Sequence, residues 1–151
     1  MSEHRHYDVF GLLVSFRVLP EEVQDKFTLM EALVPPGLGA PPNAHAGETE
    51  AFHVLDGEFE FLIGDRKVAA KAGDTLVVPD GAPHAFTCSG DRPGRLAIVN
   101  APGHMHVNFF RGIGRPMEDD TRLPDRPVGP PDFELVMRVA NETGMTLLPP
   151  A

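Results

Sequence analysis

The stretch that decides the fold is NAHAGETEAFHVLDG, residues 43–57, which is followed by GDTLVVPDGAPHAFTC, residues 73–88. In each stretch a bend containing Gly or Pro leads into a short run with apolar side chains at every second position, which is typical of a β-strand. The alternation places Phe52 on the face of Glu50, and it places an aromatic side chain two residues after His84 on that residue's face. Both stretches therefore predict strands whose titratable first residue shares a face with aromatic side chains.

The polar groups in these two stretches predict a metal site. His45 and Glu50 flank the first bend, and His84 opens the second strand after a rigid Pro-containing turn. A carboxylate that points into an apolar interior is costly to bury unless it finds a cation. Two imidazoles and one carboxylate are also a ligand set that holds a first-row divalent metal with open positions. The competing interpretation is a hydrogen-bonded core histidine beside an ordinary surface glutamate.

Short runs of the same kind extend on both sides of these stretches. They cover residues 9–19, 27–34, 50–56, 58–63, 66–70, 75–79, 85–88 and 95–100. Asp56-Gly57 and Gly64-Asp65 lie between such runs and predict hairpin turns. Short strands at this regular spacing predict an all-β fold, either a closed barrel or a jelly roll.

The end of the chain has a different pattern. Residues 112–131 contain five prolines and little periodicity, which predicts a connecting segment on the surface. A helix is predicted from Asp132, a candidate N-cap, to Thr143, with Gly144 as the residue that ends it. The 151 residues correspond in size to one domain, so we expect this helix to pack on the barrel.

Composition excludes several classes of partner. The chain has 13 basic and 22 acidic residues, a formal net charge of −9, which argues against a nucleic-acid partner. Its single cysteine, Cys88, excludes an intrachain disulfide and fits a reducing compartment. No segment resembles a secretory signal, and no apolar run reaches the length of a membrane span. We therefore expect a cytoplasmic protein with no membrane partner.

The two stretches resemble the motifs of the cupin superfamily. The first cupin motif, G-x5-H-x-H-x(3,4)-E-x6-G, is similar to the run from Asn43 to Gly57. The second, G-x5-P-x-G-x2-H-x3-N, has its counterparts at Gly73, Pro79, Gly81, His84 and Cys88. The resemblance covers residues 35–100 and is greatest to the small single-domain cupins related to quercetin dioxygenases. It implies a double-stranded β-helix, or jelly-roll barrel, spanning residues 1–151 as one domain, with a C-terminal segment and α-helix in residues 112–151.

Two positions depart from the cupin pattern. Asn43 replaces the first histidine of the first motif, and Cys88 replaces the asparagine of the second. The ligands that the resemblance carries over are therefore His45, Glu50 and His84, with Asn43 as a weaker oxygen donor. Alternatively, Asn43 caps the turn that follows the preceding two prolines, or the site has decayed and the barrel binds no metal.

The resemblance also implies a function. It indicates a metal-dependent dioxygenase that acts on a small aromatic or oxygenated substrate, with one divalent ion of Fe, Mn, Ni, Cu or Zn as cofactor. Glu50 is the candidate base, and Glu48 is a second candidate for this role or for that of ligand. The alternatives are a non-redox zinc cupin of the polyketide cyclase or isomerase kind, and a metal-free ligand-binding barrel. The expected substrate pocket is lined by Phe52, Phe59, Phe61, Phe86 and Cys88.

The sequence makes two further predictions. The N-terminal run, residues 9–19, is apolar on both faces, more than one barrel face requires, so a homodimer is expected. His104 and His106 follow the last predicted strand and either lie at the barrel mouth, where two histidines at this spacing bind metal, or form a solvated pair. His53 lies on the face opposite Glu50, so we expect it to point away from the metal.

Overall fold

The computed structural model describes residues 4–148, and most of them lie in short antiparallel strands. The strands are β1 (His6–Val9), β2 (Leu12–Val18), β3 (Thr28–Val34), β4 (Gly39–Ala44), β5 (Thr49–Asp56), β6 (Glu58–Ile63), β7 (Arg66–Lys71), β8 (Thr75–Val78), β9 (His84–Cys88), β10 (Gly94–Ala101), β11 (Arg115–Met117) and β12 (Thr146–Leu147). The helices are a 3-10 turn (Pro20–Glu22), α1 (His104–Ile113) and α2 (Phe133–Thr143).

The strands form two sheets that enclose the core. One has the order β11-β1-β2-β3-β10-β5-β8, and the other has the order β12-β4-β9-β6-β7. In β5 the buried positions are Glu50, Phe52 and Val54, and in β9 they begin with His84 and Phe86, as the alternation predicts. The all-β jelly-roll prediction is therefore confirmed.

An aromatic cluster fills the barrel between the sheets. Phe52, Phe59, Phe61 and Phe86 have ring centroids 5.0–6.1 Å apart. Tilted or edge-on ring pairs of this kind add about 0.5–1.5 kcal/mol each beyond the burial of their area. The cluster therefore fixes the positions of β5, β6 and β9 relative to one another. It thereby also fixes the positions of the residues at which β5 and β9 begin.

The strand predicted at residues 9–19 corresponds to β2, and a turn separates it from a further strand, β1, that was not predicted. β1 ends at Val9 and β2 begins at Leu12, because Phe10 and Gly11 both adopt positive φ (50° and 91°) and turn the chain. Aromatic residues rarely take this conformation, so the alternation alone gave no sign of the turn. β2 pairs with β1 on one side and with β3 on the other.

β4 was not predicted, because two prolines interrupt its sequence. Pro41 and Pro42 lie where the pairing of β4 with β9 shifts register, between Ala40 and Asn43. A proline cannot donate to a strand ladder, and at an irregularity of this kind no donor is needed. The register resumes with Asn43 opposite His84.

The C-terminal helix is confirmed, and a second helix precedes it. The Asp132 carboxylate accepts a hydrogen bond from Leu135 N at 3.1 Å, and Gly144 ends α2 with φ 90°. α1 packs against α2 at Gly112, where an added Cβ would lie 2.5 Å from Val139 Cγ1. This close approach fixes where α1 lies over the barrel. Neither helix, within residues 4–148, has the length and apolar character that crossing a bilayer demands.

Candidate metal centre

Four titratable side chains converge inside the barrel. His45 follows β4, Glu50 lies in β5, His84 opens β9 and His106 belongs to α1. Glu50 Oε1 lies 2.8 Å from His84 Nε2 and 3.3 Å from His45 Nε2, while Glu50 Oε2 lies 3.4 Å from His106 Nε2. All four residues are at most 5% exposed. The structure thus brings together three of the residues predicted as ligands and adds His106.

The strands and the loop between them set this arrangement. Gly47, with φ 99°, allows the bend that turns the chain from His45 back to Glu50. Glu50 of β5 lies opposite Asn100 of β10, and Asn100 Nδ2 donates a hydrogen bond to Glu50 Oε2 at 2.9 Å. This hydrogen bond, from a neighbouring strand of the same sheet, fixes the orientation of the Glu50 carboxylate.

The outer nitrogen of each imidazole has a hydrogen-bond acceptor. His45 Nδ1 lies 3.0 Å from Glu48 O, and His84 Nδ1 lies 2.9 Å from Ala82 O. His106 Nδ1 lies 2.7 Å from Glu48 Oε1. Carbonyl and carboxylate oxygens only accept, so each Nδ1 carries the hydrogen, and in the neutral ring each Nε2 has a free lone pair.

In the neutral rings the inward nitrogens would then face one another without a hydrogen between them. His45 Nε2 and His84 Nε2 are 3.2 Å apart, and both also face Glu50 Oε1. Several lone pairs and a carboxylate at these distances require a cation among them, either a proton on an imidazole or a metal ion. His45, Glu50 and His106 each offer one ligand atom within 4.8 Å of the others. A donor set of imidazole nitrogens and one carboxylate fits a first-row divalent metal.

The charges of the cluster favour an ionised carboxylate. Burial would raise the pKa of Glu50, but the charge of His106 and the hydrogen bonds from His45 and His84 hold this pKa well below its usual range. Burial would lower the pKa of His45, but the hydrogen bond and charge of Glu50 outweigh burial and raise it. Glu50 is therefore available as an anionic ligand.

Glu48 lies behind the cluster and holds His106. Its carboxylate is fully buried, and Oε2 accepts from Gly103 N at 2.6 Å and from Met105 N at 3.0 Å at the start of α1. Glu48 Oε1 accepts a hydrogen bond from His106 Nδ1. A carboxylate that orients a ligand histidine through its other nitrogen is a common feature of metal sites. The Glu48 carboxylate therefore lies behind His106, and His106 separates it from the point where the imidazole nitrogens meet Glu50.

Asn43 is engaged with the main chain. Its Nδ2 donates to Pro41 O at 2.9 Å and to His84 O at 3.3 Å, which ties β4 to β9. Within residues 4–148 no hydrogen bond joins the Asn43 side chain to a side chain of the cluster. Its side chain also lines the pocket described below.

His106 is the site residue whose role the sequence left open, because the H-x-H at His104 and His106 fitted either a metal-binding pair or a solvated pair. It is 3% exposed, whereas His104, on the same helix, is exposed. The H-x-H spacing was interpreted as a strand, but Val107, Phe110 and Ile113 recur at helical spacing, which was the available signal. His53 points outward, and its Nδ1 lies 2.7 Å from Thr75 Oγ1.

A largely apolar pocket of about 500 Å³ opens from the cluster. Phe52 and Phe86 line it, while Phe59, Phe61 and Cys88 lie in the core outside its wall. Phe109 and Phe110 of α1 form another part of the wall, and residues 127–131 with Phe133 form its outer part. The histidine–glutamate cluster is therefore reached through an apolar passage.

Comparison with known proteins agrees with this architecture. Residues 30–100 match the cupin domain family. The chain has the cupin fold. A predicted oxalate decarboxylase from Thermotoga maritima superposes with a TM-score of 0.58 at 24% identity, covering 60% of this chain and 79% of the other. The polyketide cyclase RemF from Streptomyces resistomycificus superposes with a TM-score of 0.57 at 21% identity, covering 68% and 79%. At under 25% identity, these two structural similarities show the fold alone.

A curated relative is also similar to the cupin region of this chain. It is an uncharacterized protein of Methanocaldococcus jannaschii, 28% identical over 81 residues. The match covers 54% of this chain and 65% of the relative, just under two thirds of its length. It adds no activity, so the function is argued from the site.

Proposed function

We propose that this cupin is a metal-dependent enzyme, with an oxygen-dependent dioxygenase as the leading reaction type and an oxygenated small molecule as substrate. The observation that carries the proposal is the convergence of the His45, His84 and His106 Nε2 atoms on the Glu50 carboxylate. Their outer nitrogens are all held by oxygen acceptors, so the inward lone pairs are directed at one point. This point lies at the side of an apolar pocket.

A divalent metal bound there supplies a Lewis acid and, if it is Fe, Mn, Ni or Cu, a redox partner for oxygen. The protein's own groups do the remaining work. Glu50 lines the pocket and is the candidate base for a substrate hydroxyl, while Glu48 positions His106. The apolar wall excludes water, which strengthens the electrostatic interactions within the site.

A non-redox zinc enzyme of the cyclase or isomerase kind is the second candidate. It is favoured by the same apolar pocket and by the structural similarity to a polyketide cyclase. In that case the zinc ion that His45, Glu50, His84 and His106 would hold would supply a Lewis acid for a substrate carbonyl, and the pocket shape would direct which substrate atoms meet. A metal-free ligand-binding barrel is the third possibility.

Metal analysis followed by oxygen uptake tests the proposal. The protein is purified without chelator, its metal content is measured, and the metal-stripped protein is reloaded with Fe, Mn, Ni, Cu or Zn in turn. The proposal predicts about one metal per chain and oxygen consumption with a redox-active metal in the presence of an enolic or phenolic substrate. Stoichiometric zinc with no oxygen consumption would favour the second candidate, and no stoichiometric metal at all would favour the third.

A further inference from the structure

The pocket wall carries almost no polar side chains. Among the wall residues that the structure describes, the polar side chains are Asn43, Glu50, His84 and His106, and all four lie at the metal cluster or beside it. No lysine or arginine lines this described wall. The rest is aliphatic, aromatic or proline, with Val14, Met30 and Ile98 as deeply buried examples. Polar recognition is thus confined to one end of the pocket.

The outer rim of the pocket is apolar as well. Phe10, Val128 and Phe133 line it and are 39%, 101% and 65% exposed. They come from the β1–β2 turn, the proline-rich segment and the start of α2. A rim of this kind favours contact with an apolar body rather than with a hydrated, charged one.

From this distribution we infer the substrate class: an uncharged molecule with an extended apolar body and a single oxygen-bearing end that reaches the metal. The inference rests on the proposed metal centre and adds what the metal's substrate must be. A small dicarboxylate would bring two negative charges beside the anionic Glu50, and any carboxylate that the metal does not hold would lie against apolar wall with no lysine or arginine to pair it. A sugar would leave most of its hydroxyl groups without partners there. The volume of about 500 Å³ lies in the range that holds drug-sized ligands.

Two metal chelators that differ only in their apolar tail measure the contribution of the apolar body to affinity separately from that of the metal-binding end. Octanohydroxamic acid and acetohydroxamic acid share a metal-binding group and differ only in their apolar tail. Calorimetry on the cobalt-loaded protein is expected to show about tenfold or greater preference for the octano compound, because each buried methylene adds affinity. Oxalate is expected to bind no more tightly than acetohydroxamic acid. Equal affinity for the two hydroxamic acids, or tightest binding of oxalate, would overturn the inference.

A pair of variants on α2 tests the rim. Phe133→Glu places a charge on the pocket rim, whereas Met137→Glu places one a single turn later, on a residue that is 44% exposed and outside the wall. Phe133→Glu is expected to weaken octanohydroxamic acid binding by about fivefold or more with the cobalt content unchanged, because it charges an apolar contact. Met137→Glu should leave the affinity unchanged. Equal affinities in both variants and the parent would contradict an apolar rim.

Measurements on metal-free protein distinguish a failure of the proposed metal-dependent enzyme from a failure of the inferred substrate class. The neutral fluorophore 1-aminoanthracene is titrated into metal-stripped protein, where binding reports on the apolar wall alone. Binding without any metal uptake would leave an uncharged, apolar ligand standing and remove both the metal contact and the proposed enzyme. Metal uptake without fluorophore binding, and with no preference for the longer hydroxamic acid, would remove the substrate class and leave the metal centre standing.

Discussion

The Glu48 side chain contacts the candidate metal centre through His106 Nδ1, and this makes it a test of positioning. Glu48→Gln keeps a side-chain oxygen for the Gly103 and Met105 amides but removes the charge that fixes the His106 tautomer. We expect metal affinity to fall about 10- to 100-fold, as is typical when a partner of a ligand histidine is changed. Glu60→Gln, an exposed glutamate on β6, is the control. Competition with a chelator measures both, and an unchanged dissociation constant for Glu48→Gln would show that it does not act on the metal.

Asn43 is expected to stabilise the fold rather than bind the metal. Asn43→Ala removes the two hydrogen bonds that Nδ2 donates to Pro41 O and His84 O. We expect the free energy of unfolding to fall by about 1–3 kcal/mol, chiefly because the His84 carbonyl loses its donor in a buried contact. Metal affinity should change little. Denaturant unfolding and chelator competition separate the two effects, and a large loss of affinity would mean that the amide oxygen is a ligand after all.

A site residue could be predicted from the sequence only where neighbouring residues in the chain set the direction of its side chain. His45, Glu50 and His84 could be found because a bend and a two-residue period set their direction, and both are visible in the chain itself. His106 could not be found in that way, because its direction depends on the packing of α1 against α2 and on the carboxylate of Glu48. The same carboxylate was considered a base or ligand, since the sequence does not show that α1 would surround it.

At the scale of elements, we expect the packing of α1 on α2 to decide whether the candidate metal site is complete, because α1 carries His106. Gly112→Ala would place a Cβ 2.5 Å from Val139 Cγ1, and the stiff valine cannot rotate away easily. We expect a loss of about 1–3 kcal/mol in unfolding free energy, as in overpacked cores, together with weaker metal binding because α1 carries His106. Gly90→Ala, where the nearest atom is 3.6 Å away, serves as the control. Normal metal affinity in the destabilised Gly112→Ala variant would show that the position of α1 does not matter to the site.

The strands differ in how well the sequence shows them. β5 and β9 were predicted because their alternation is uninterrupted, and α2 was predicted from its cap and period. β4 contains two prolines that only its irregular pairing with β9 accommodates. α1 begins with an H-x-H that also fits a strand. For β4 the tertiary pairing overrides the local pattern, whereas for α1 the helical spacing of Val107, Phe110 and Ile113 was present in the sequence beside the ambiguous H-x-H.

At the scale of the whole molecule, we propose a homodimer through the outer face of the larger sheet. β2 has partners on both sides, so its apolar character does not itself require a second chain. Val77, Ala51 and Val99 lie side by side across β8, β5 and β10, and the two valines are 60% and 38% exposed. We expect Val77→Glu to convert the dimer to monomer in light scattering at micromolar concentration. A parent protein that is already monomeric would contradict this proposal.

The central claim is that His106 completes the metal centre, and His104 provides a matched control on the same helix. The metal-to-protein ratio and the dissociation constant are measured for the parent, His106→Ala and His104→Ala, all purified alike. Because His106 Nε2 is directed at Glu50 and His104 is exposed, His106→Ala should lose most of its metal and His104→Ala should keep the parent's affinity. Full occupancy in His106→Ala, or equal loss in both variants, would contradict the account.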